Sequence, residues 1–153
     1  MNKGTRQLAA IMFTDMVGYT ALMQEDEKLA KRQRDQQRMV LNESVKKYNG
    51  EILQYYGDGT LSIFKSGVEA VQCAVEIQQA LRSRNADLPP NRRMEFRIGI
   101  NVGDVMVEGP QIYGDGVNIA ARLEALAEGG GICISGTVYD QVENKLPLLY
   151  ESL

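Results

Sequence analysis

The sequence predicts a mixed α/β (α+β) sandwich, in which antiparallel hairpins share one sheet and the helices cover one face of it. Residues 7–14 form an apolar run typical of a central strand, and two strand-like segments flank a Gly-Asp-Gly turn. Segments with helical spacing of apolar residues alternate with these strands. With 153 residues, 44% of them hydrophobic and 24% charged, the chain is expected to form one globular domain with its own core.

Two helices are predicted to follow the first strand. Gly18 opens a short helical stretch, and residues 26–48 form a long helix. The buried stripe of the long helix is predicted to be Leu41, Val45 and Tyr48. Gly50 is expected to end this helix, because glycine suits the left-handed conformation that commonly follows a helix.

A hairpin and a third helix are predicted next. Residues 52–56 and 60–64 are the strands of the hairpin, and Gly57-Asp58-Gly59 is its turn. The inward positions of the following helix are Val68, Val71, Val75 and Leu81. Residues 86–93, which include two prolines, are predicted to form a loop.

The last third of the chain is predicted to add strands and two helices. Residues 96–103 alternate between apolar residues and small or polar ones, which predicts a strand with one buried face, and 105–107 extend a further strand. Residues 116–127 are predicted to be helical, with inward side chains at Ile119, Leu123 and Leu126. A glycine stop, a short strand and a last helix follow at 129–131, 132–135 and 137–142.

The composition excludes several classes of function. A formal charge of −3 provides no basic field for a nucleic-acid polymer. The chain has no histidine, which removes the usual general base, the usual zinc ligand and any histidine-activated nucleophile. No apolar stretch approaches the length of a membrane span, and no signal-peptide pattern is present at its start. Cys73 and Cys133 lie in apolar settings, which indicates buried free thiols in a reducing cytoplasm.

Two aspartates are candidate metal ligands. Asp15 ends the first apolar run, where a helix N-cap and a metal ligand beside phosphate-binding N–H groups are equally compatible with the sequence. Asp58 taken alone favours an ordinary hairpin turn. Because a strand end and a neighbouring hairpin tip can converge, the pair favours a site in which two carboxylates hold Mg²⁺ alongside substrate phosphates.

Asn118 and Arg122 are separated by one helical turn and share a helix face. A solvated surface, or an ion pair between Arg122 and a nearby acid, is the simpler interpretation. The poor helix propensity of Asn118 favours a contact face instead. Gly99 and Gly103 similarly favour a contact face, because the absence of a side chain at each lets another group approach their strand closely. Carboxylates for cations, together with a guanidinium for developing negative charge, are the groups that phosphoryl chemistry requires.

Four segments match the pattern of a known family in the same order and together extend over nearly the whole chain. They are MFTDMVGYT at 12–20, GDG at 57–59, FRIGINVG at 96–103 and IYGDGVNIAAR at 112–122. Through them the chain resembles the catalytic domain of the class III nucleotidyl cyclases, the adenylate and guanylate cyclases. The resemblance implies a ferredoxin-like βαβ-βαβ sandwich and a head-to-tail homodimer with active sites at its interface.

The resemblance also implies roles for individual residues. Asp15 and Asp58 of one protomer would bind two Mg²⁺ or Mn²⁺ ions. Backbone groups would support the metals and phosphates at Met16, Gly18, Tyr19 and Thr20. Asn118 and Arg122 of the other protomer would orient the ribose and stabilise the pentacovalent α-phosphate.

The sequence departs from the family pattern at two base-selecting positions. Gln54 and Gln111 match neither the lysine–aspartate pair typical of adenylate cyclases nor the glutamate–cysteine pair typical of guanylate cyclases. The family's triphosphate-binding lysine has no clear counterpart before Leu153, where the chain stops in a strand-like passage. The chain, 1–153, is therefore expected to be a single catalytic domain that lacks the family's C-terminal strand or strands, with a regulatory domain elsewhere in a longer protein.

Together these expectations describe a cytoplasmic enzyme that cyclises ATP, and GTP as a second substrate, to the 3′,5′-cyclic nucleotide and pyrophosphate. Without histidine, Asp15 or solvent must accept the proton. The alternative is a degenerate cyclase-like domain that dimerises and regulates without catalysis, as the two glutamines suggest. The four intact residues Asp15, Asp58, Asn118 and Arg122 argue against it. A diguanylate-cyclase-like palm is disfavoured because its Gly-Gly-Asp/Glu-Glu-Phe motif is absent.

Overall fold

The computed structural model describes residues 5–152, which form six strands and five α-helices. In chain order these are β1 (Thr5–Val17), α1 (Tyr19–Glu25), α2 (Glu27–Lys47), β2 (Glu51–Tyr56), β3 (Gly59–Phe64), α3 (Gly67–Ala86), β4 (Glu95–Glu108), β5 (Gln111–Tyr113), α4 (Asp115–Leu126), β6 (Ile132–Ile134) and α5 (Gly136–Val142). The strands form one sheet in the order β2-β3-β1-β4-β5, and β6 pairs in parallel with β4. This architecture confirms the predicted α/β (α+β) sandwich.

The central pair of the sheet is β1 and β4, which run antiparallel along the whole length of β1. The register of this pair places Asp15 directly opposite Arg97. β1 also pairs with β3, so its apolar residues are buried between two neighbours, as predicted for residues 7–14. The segment at 105–107 was predicted as a separate strand, but it continues β4 without a break.

Side-chain caps set the starts of three helices. Asp26 accepts the N–H of Leu29 at the start of α2, and Ser66 and Ser135 make the equivalent contacts at α3 and α5. The end of α2 differs from the prediction, because Asn49 and not Gly50 adopts the left-handed conformation, with φ of 62°. Gly50 is required for another reason, since a Cβ there would overlap the ring of Phe64.

The helices do not all lie on one face of the sheet. α2, α3 and α5 enclose the main core with residues of β1 such as Met12, whereas Ala120 of α4 packs with Ile11 on the opposite face. The prediction of a single helical face is therefore wrong for α4. As a consequence β4 is buried on both faces, and the polar position Asn101 is buried too, against the predicted single buried face.

α4 packs on the sheet through its small residues. Its buried positions are Gly116 and Ala120, while Ile119 and Leu126 are 40% and 65% exposed. The predicted inward stripe of Ile119, Leu123 and Leu126 is therefore wrong, and Leu123 is only half-buried. Gly99 explains the arrangement, because a Cβ at Gly99 would overlap the backbone of α4.

The other elements agree with the sequence analysis in position. The hairpin of β2 and β3 and the helix α3 form where expected. In the predicted loop at 86–93, Ala86 is the last residue of α3, and Pro90–Arg92 form a short 3₁₀ helix. The three-residue strand β5 was not predicted, and the strand-like passage at 147–152 has no regular structure.

None of the helices within residues 5–152 has the length and apolar character needed to cross a bilayer. Cys73 and Cys133 are free and buried, as expected.

Candidate functional site

A cleft of about 450 Å³ opens on the α4 side of the sheet. The end of β1, the hairpin of β2 and β3, and α4 form its walls. Its polar lining residues are Thr14, Asp15, Asp58, Thr60, Asn118 and Glu124. The strand end and the hairpin tip therefore do converge, and they bring Asp15 and Asp58 into one cleft.

Asp15 lies within β1 and is paired with Arg97. The Nε and Nη2 atoms of Arg97 donate to the two carboxylate oxygens of Asp15 at 3.0 and 2.6 Å. Burial acts to raise the pKa of Asp15, but hydrogen bonds from Arg97 and Glu124 outweigh burial and hold that pKa below its usual value. The N-cap interpretation of Asp15 is wrong, because Gly18 occupies the N-cap position of α1.

Asp58 lies at the turn of the hairpin, and the turn is fastened to α2. Burial, and then the charge of Asp15, raise the pKa of Asp58. Arg38 of α2 donates to the carbonyl of Gly57 at 2.7 Å, and its guanidinium lies 4.6 Å from the centre of the Tyr55 ring. The Tyr55 hydroxyl in turn donates to Asn42 of α2 at 3.3 Å. These contacts join α2 to the turn that presents Asp58.

Glu124 is a third carboxyl group of the cleft, and the sequence analysis did not identify it or Arg97. The Glu124 side chain is 12% exposed, and its Oε1 lies 3.9 Å from Nε of Arg97. Burial, then the hydrogen bond with Asp15 and the charge of Asp15, raise the pKa of Glu124 to about 8. The sequence signal for Glu124 was its spacing of four and eight residues from Ala120 and Gly116, which places it on the packed face of α4.

The structure separates Asn118 from Arg122. Both side chains are on the exposed side of α4, but Asn118 lines the cleft and Arg122 does not. Arg122 lies on the same helix side as the exposed Leu126, one turn further along α4. Within one chain Arg122 therefore lies outside the lining of the cleft that holds Asp15 and Asp58.

The backbone positions that follow Asp15 lie outside the cleft lining. Met16 belongs to β1 with its side chain in the main core, and Gly18 has a φ of 88° before α1. The hydroxyl of Tyr19 accepts a hydrogen bond from Arg34 at 3.2 Å, and Thr20 is exposed in α1.

Gln54 and Gln111 lie together, outside the lining of the cleft that holds the two aspartates. Nε2 of Gln54 donates to the carbonyl of Pro110 at 3.1 Å, and Gln111 is the next residue. Neither glutamine lines the cleft of Asp15 and Asp58. One chain therefore presents two separate groups of candidate site residues.

The carboxylates of the cleft fit a divalent cation that is shared with a substrate. In the described part of the chain no three His, Cys, Asp or Glu side chains are grouped closely enough to hold a metal by themselves. Mg²⁺ is commonly held by one or two carboxylates plus waters and substrate phosphates, so Asp15 and Asp58 are a sufficient donor set.

Comparison with known proteins identifies one family to which the chain is similar. Residues 1–149 match the family model described as the adenylate and guanylate cyclase catalytic domain. A relative named "Putative adenylate cyclase 3" of Rhizobium meliloti (strain 1021) is 44% identical over 145 residues, which are 92% of this chain and 24% of the relative. The chain thus spans about a quarter of that relative's length.

Two solved structures share the fold. The adenylate/guanylate cyclase/hydrolase from Silicibacter pomeroyi has a TM-score of 0.85 and 40% identity, with 94% of this chain and 83% of that chain covered. The adenylyl cyclase CyaB from P. aeruginosa has a TM-score of 0.84 and 23% identity, with 94% and 84% covered, and at that identity the likeness shows the fold alone.

Proposed function

Because the chain belongs to the adenylate and guanylate cyclase catalytic domain family, we propose that it cyclises ATP, and GTP to a lesser extent, to the 3′,5′-cyclic nucleotide and pyrophosphate. The observation that carries the proposal is the convergence of Asp15 and Asp58 on one cleft, with Asn118 in its wall. We further propose that this chain acts as a catalytic domain and that a regulatory domain controls it, since the chain spans about a quarter of the length of its relative.

Asp15 and Asp58, with backbone support from Met16, would hold two Mg²⁺ or Mn²⁺ ions. Ions bound there would lower the pKa of the ribose 3′-hydroxyl and neutralise charge on the phosphates. Asp15 is the residue of the cleft whose pKa is held low, so it is ionised at neutral pH and carries the negative charge that attracts a cation. Asp15 or solvent would accept the proton of the 3′-hydroxyl. Backbone N–H groups at Gly18, Tyr19 and Thr20 would contact the phosphates from the end of β1.

Arg122 and Asn118 would act on a substrate held mainly by the other protomer of a head-to-tail homodimer. Arg122 is exposed and does not line its own cleft, and Ile119 and Leu126 beside it are exposed apolar side chains. Exposed apolar patches with an arginine among them are typical of protein interfaces. A guanidinium supplied across such an interface would stabilise the charge that develops on the α-phosphate.

Gln54 and Gln111 would read the base with little discrimination. Each glutamine amide carries a donor and an acceptor, so neither adenine nor guanine leaves a buried polar group unpaired. We expect ATP to be the better substrate by about tenfold in kcat/KM, equivalent to about 1.4 kcal/mol. The double variant Gln54→Lys/Gln111→Asp should increase the preference for ATP.

The test is a cyclase assay on the purified chain with Mn²⁺ and either ATP or GTP, followed for the cyclic product. Asp15→Ala and Asp58→Ala should each abolish activity while circular dichroism shows an intact fold. Retained turnover in a folded Asp15→Ala variant would refute the metal site, and an ATP to GTP ratio above about a thousand would refute the role of the glutamines. A folded wild-type dimer that makes no product would favour the regulatory alternative, which the Gln54–Gln111 pair suggests.

A further inference from the structure

Arg97 lies between two carboxyl groups of the cleft and is hydrogen-bonded to only one of them. It donates to both oxygens of Asp15, at 3.0 and 2.6 Å, whereas Oε1 of Glu124 lies 3.9 Å from its Nε. Among the described residues, this buried Oε1 atom of Glu124 has no hydrogen-bond partner. An unused acceptor therefore lies beside a guanidinium that is bound to a proposed metal ligand.

The Asp15–Arg97 pair opposes metal binding. Both carboxylate oxygens of Asp15 accept from Arg97, so a cation that binds Asp15 must replace at least one of these hydrogen bonds. The cation also repels the guanidinium at short range. The Arg97 side chain is only 34% exposed, and a partly buried guanidinium without an acceptor is costly.

We propose that Glu124 is a positioning residue that accepts the Arg97 guanidinium when a divalent cation binds Asp15. The inference rests on the proposed function, because it assumes that Asp15 is a metal ligand. Glu124 is held in place for this role, since the backbone of α4 rests directly on Gly99, two residues from Arg97 on β4. A modest rotation of the Arg97 side chain would bring its Nε within hydrogen-bond distance of the free Oε1.

Titration of Mn²⁺ into the purified chain, followed by the paramagnetic resonance signal of free Mn²⁺, tests this role without turnover. Glu124→Met removes the acceptor at similar side-chain length and should weaken Mn²⁺ binding about 10- to 100-fold, as is typical for groups that orient metal ligands. Glu108→Met is the matched control, because Glu108 is exposed at the far end of β4. The control should bind Mn²⁺ as the wild type does, and circular dichroism establishes that both variants fold.

The Arg97→Met background separates action through Arg97 from a direct effect of Glu124 on the cation. Arg97→Met removes the competing guanidinium and should bind Mn²⁺ more tightly than the wild type. In this background Glu124→Met should change the Mn²⁺ affinity by less than about twofold, because Glu124 no longer has a guanidinium from which to accept a hydrogen bond. An undiminished effect of Glu124→Met would overturn the proposal.

Different results would overturn the role of Glu124 and the proposed function. If the wild type binds Mn²⁺, Asp15→Ala does not, and Glu124→Met binds normally, the metal site stands and the role of Glu124 is overturned. If the wild type shows no Mn²⁺ binding that depends on Asp15, the role of Glu124 is overturned, and the proposed function is decided separately by the cyclase assay, in which substrate phosphates complete the metal site. If Glu124→Met does not fold, the Arg97→Met variant decides the matter. The proposal is overturned if Arg97→Met binds Mn²⁺ no more tightly than the wild type does.

Discussion

Arg122 and Glu124 lie two residues apart on α4, yet their surroundings differ completely. Arg122 is exposed and does not line the cleft, whereas Glu124 is largely buried in the cleft beside Asp15 and Arg97. Two residues correspond to about 200° around a helix, which is enough to direct the two side chains to opposite sides. The arginine is therefore available to a partner molecule, and the glutamate lines the cleft of its own chain.

Arg122→Ala should lower kcat much more than it raises KM. Charge develops on the α-phosphate oxygens only as the new bond forms, so a guanidinium directed at them stabilises the transition state preferentially. Loss of such a donor typically lowers kcat about 100-fold or more. Steady-state kinetics with ATP and Mn²⁺ measure this, and an unchanged kcat with a raised KM would show that Arg122 only binds the ground state.

The stability of the metal-free protein should fall as the pH rises from about 4.5 to about 8, because of Glu124. The pKa of Glu124 is about 8 in the folded chain against an ordinary value of 4.5, so in this interval the unfolded chain releases a proton that the folded chain keeps. The contribution is complete below the unfolded pKa and is lost as the pH rises through the folded pKa. Asp15 does not offset this loss, since its lowered pKa places its own effect at more acidic pH.

Glu124→Gln removes that titration. Its melting temperature relative to the wild type should therefore rise between about pH 5 and about pH 8.5. Thermal unfolding in the presence of a chelator is the measurement. A difference in melting temperature that does not change with pH would show that Glu124 does not retain its proton in the folded state.

At the scale of elements, the contact between α4 and β4 depends on the absence of a side chain at Gly99. Gly99→Ala should destabilise the protein by about 1–3 kcal/mol, because its Cβ would overlap the backbone of Ala120 and Glu124 and force α4 outward. Gly136→Ala is the matched control, since nothing lies within 4 Å of its added Cβ at the start of α5. Chemical denaturation should show a change within about 1 kcal/mol for the control.

The contact between α2 and the hairpin turn is the second contact between elements that affects the site. Arg38 reaches from α2 to the carbonyl of Gly57, next to Asp58. Arg38→Met should raise the Mn²⁺ concentration required for half-maximal activity about tenfold, because the turn that presents Asp58 would lose its anchor. Arg32→Met, at an exposed position of the same helix, is the control. Equal metal requirements in the two variants would contradict a positioning role for Arg38.

Most elements could be predicted from local pattern, and the failures involve contacts between distant elements. The apolar run of β1 and the turn at Asp58 were evident because strand and turn preferences are local. The orientation of α4 was not, since its apolar residues indicated the wrong face and the packed face consists of Gly116 and Ala120. Arg97 and Glu124 were missed for the same reason, because the register of β4 against β1 brings Arg97 to Asp15 and the packing of α4 on Gly99 brings Glu124 there.

For the whole molecule, the proposed composite site predicts complementation between two inactive variants. Asp15→Ala and Arg122→Ala each disable a different half of the site. A mixed dimer then contains one site in which every group is intact. Mixing the two purified variants should restore up to about a quarter of the wild-type activity, the share expected for random pairing with one of two sites intact. Failure to recover activity, although labelled subunits exchange, would show that the site lies within one chain.

The side chains that pack α4 on the sheet are different from those that α4 exposes to other molecules. Ala120 packs on Gly99 and Gly116 packs beside Gly103, so the long outward side chains of α4 contribute little to the fold of the chain that carries them. Substitutions on that outward side can therefore accumulate at small thermodynamic cost. After a gene duplication, sequence changes on this side could give two copies of the chain that bind each other more tightly than they bind themselves. The packing of α4 thus allows a homodimer to evolve into a heterodimer without loss of the fold.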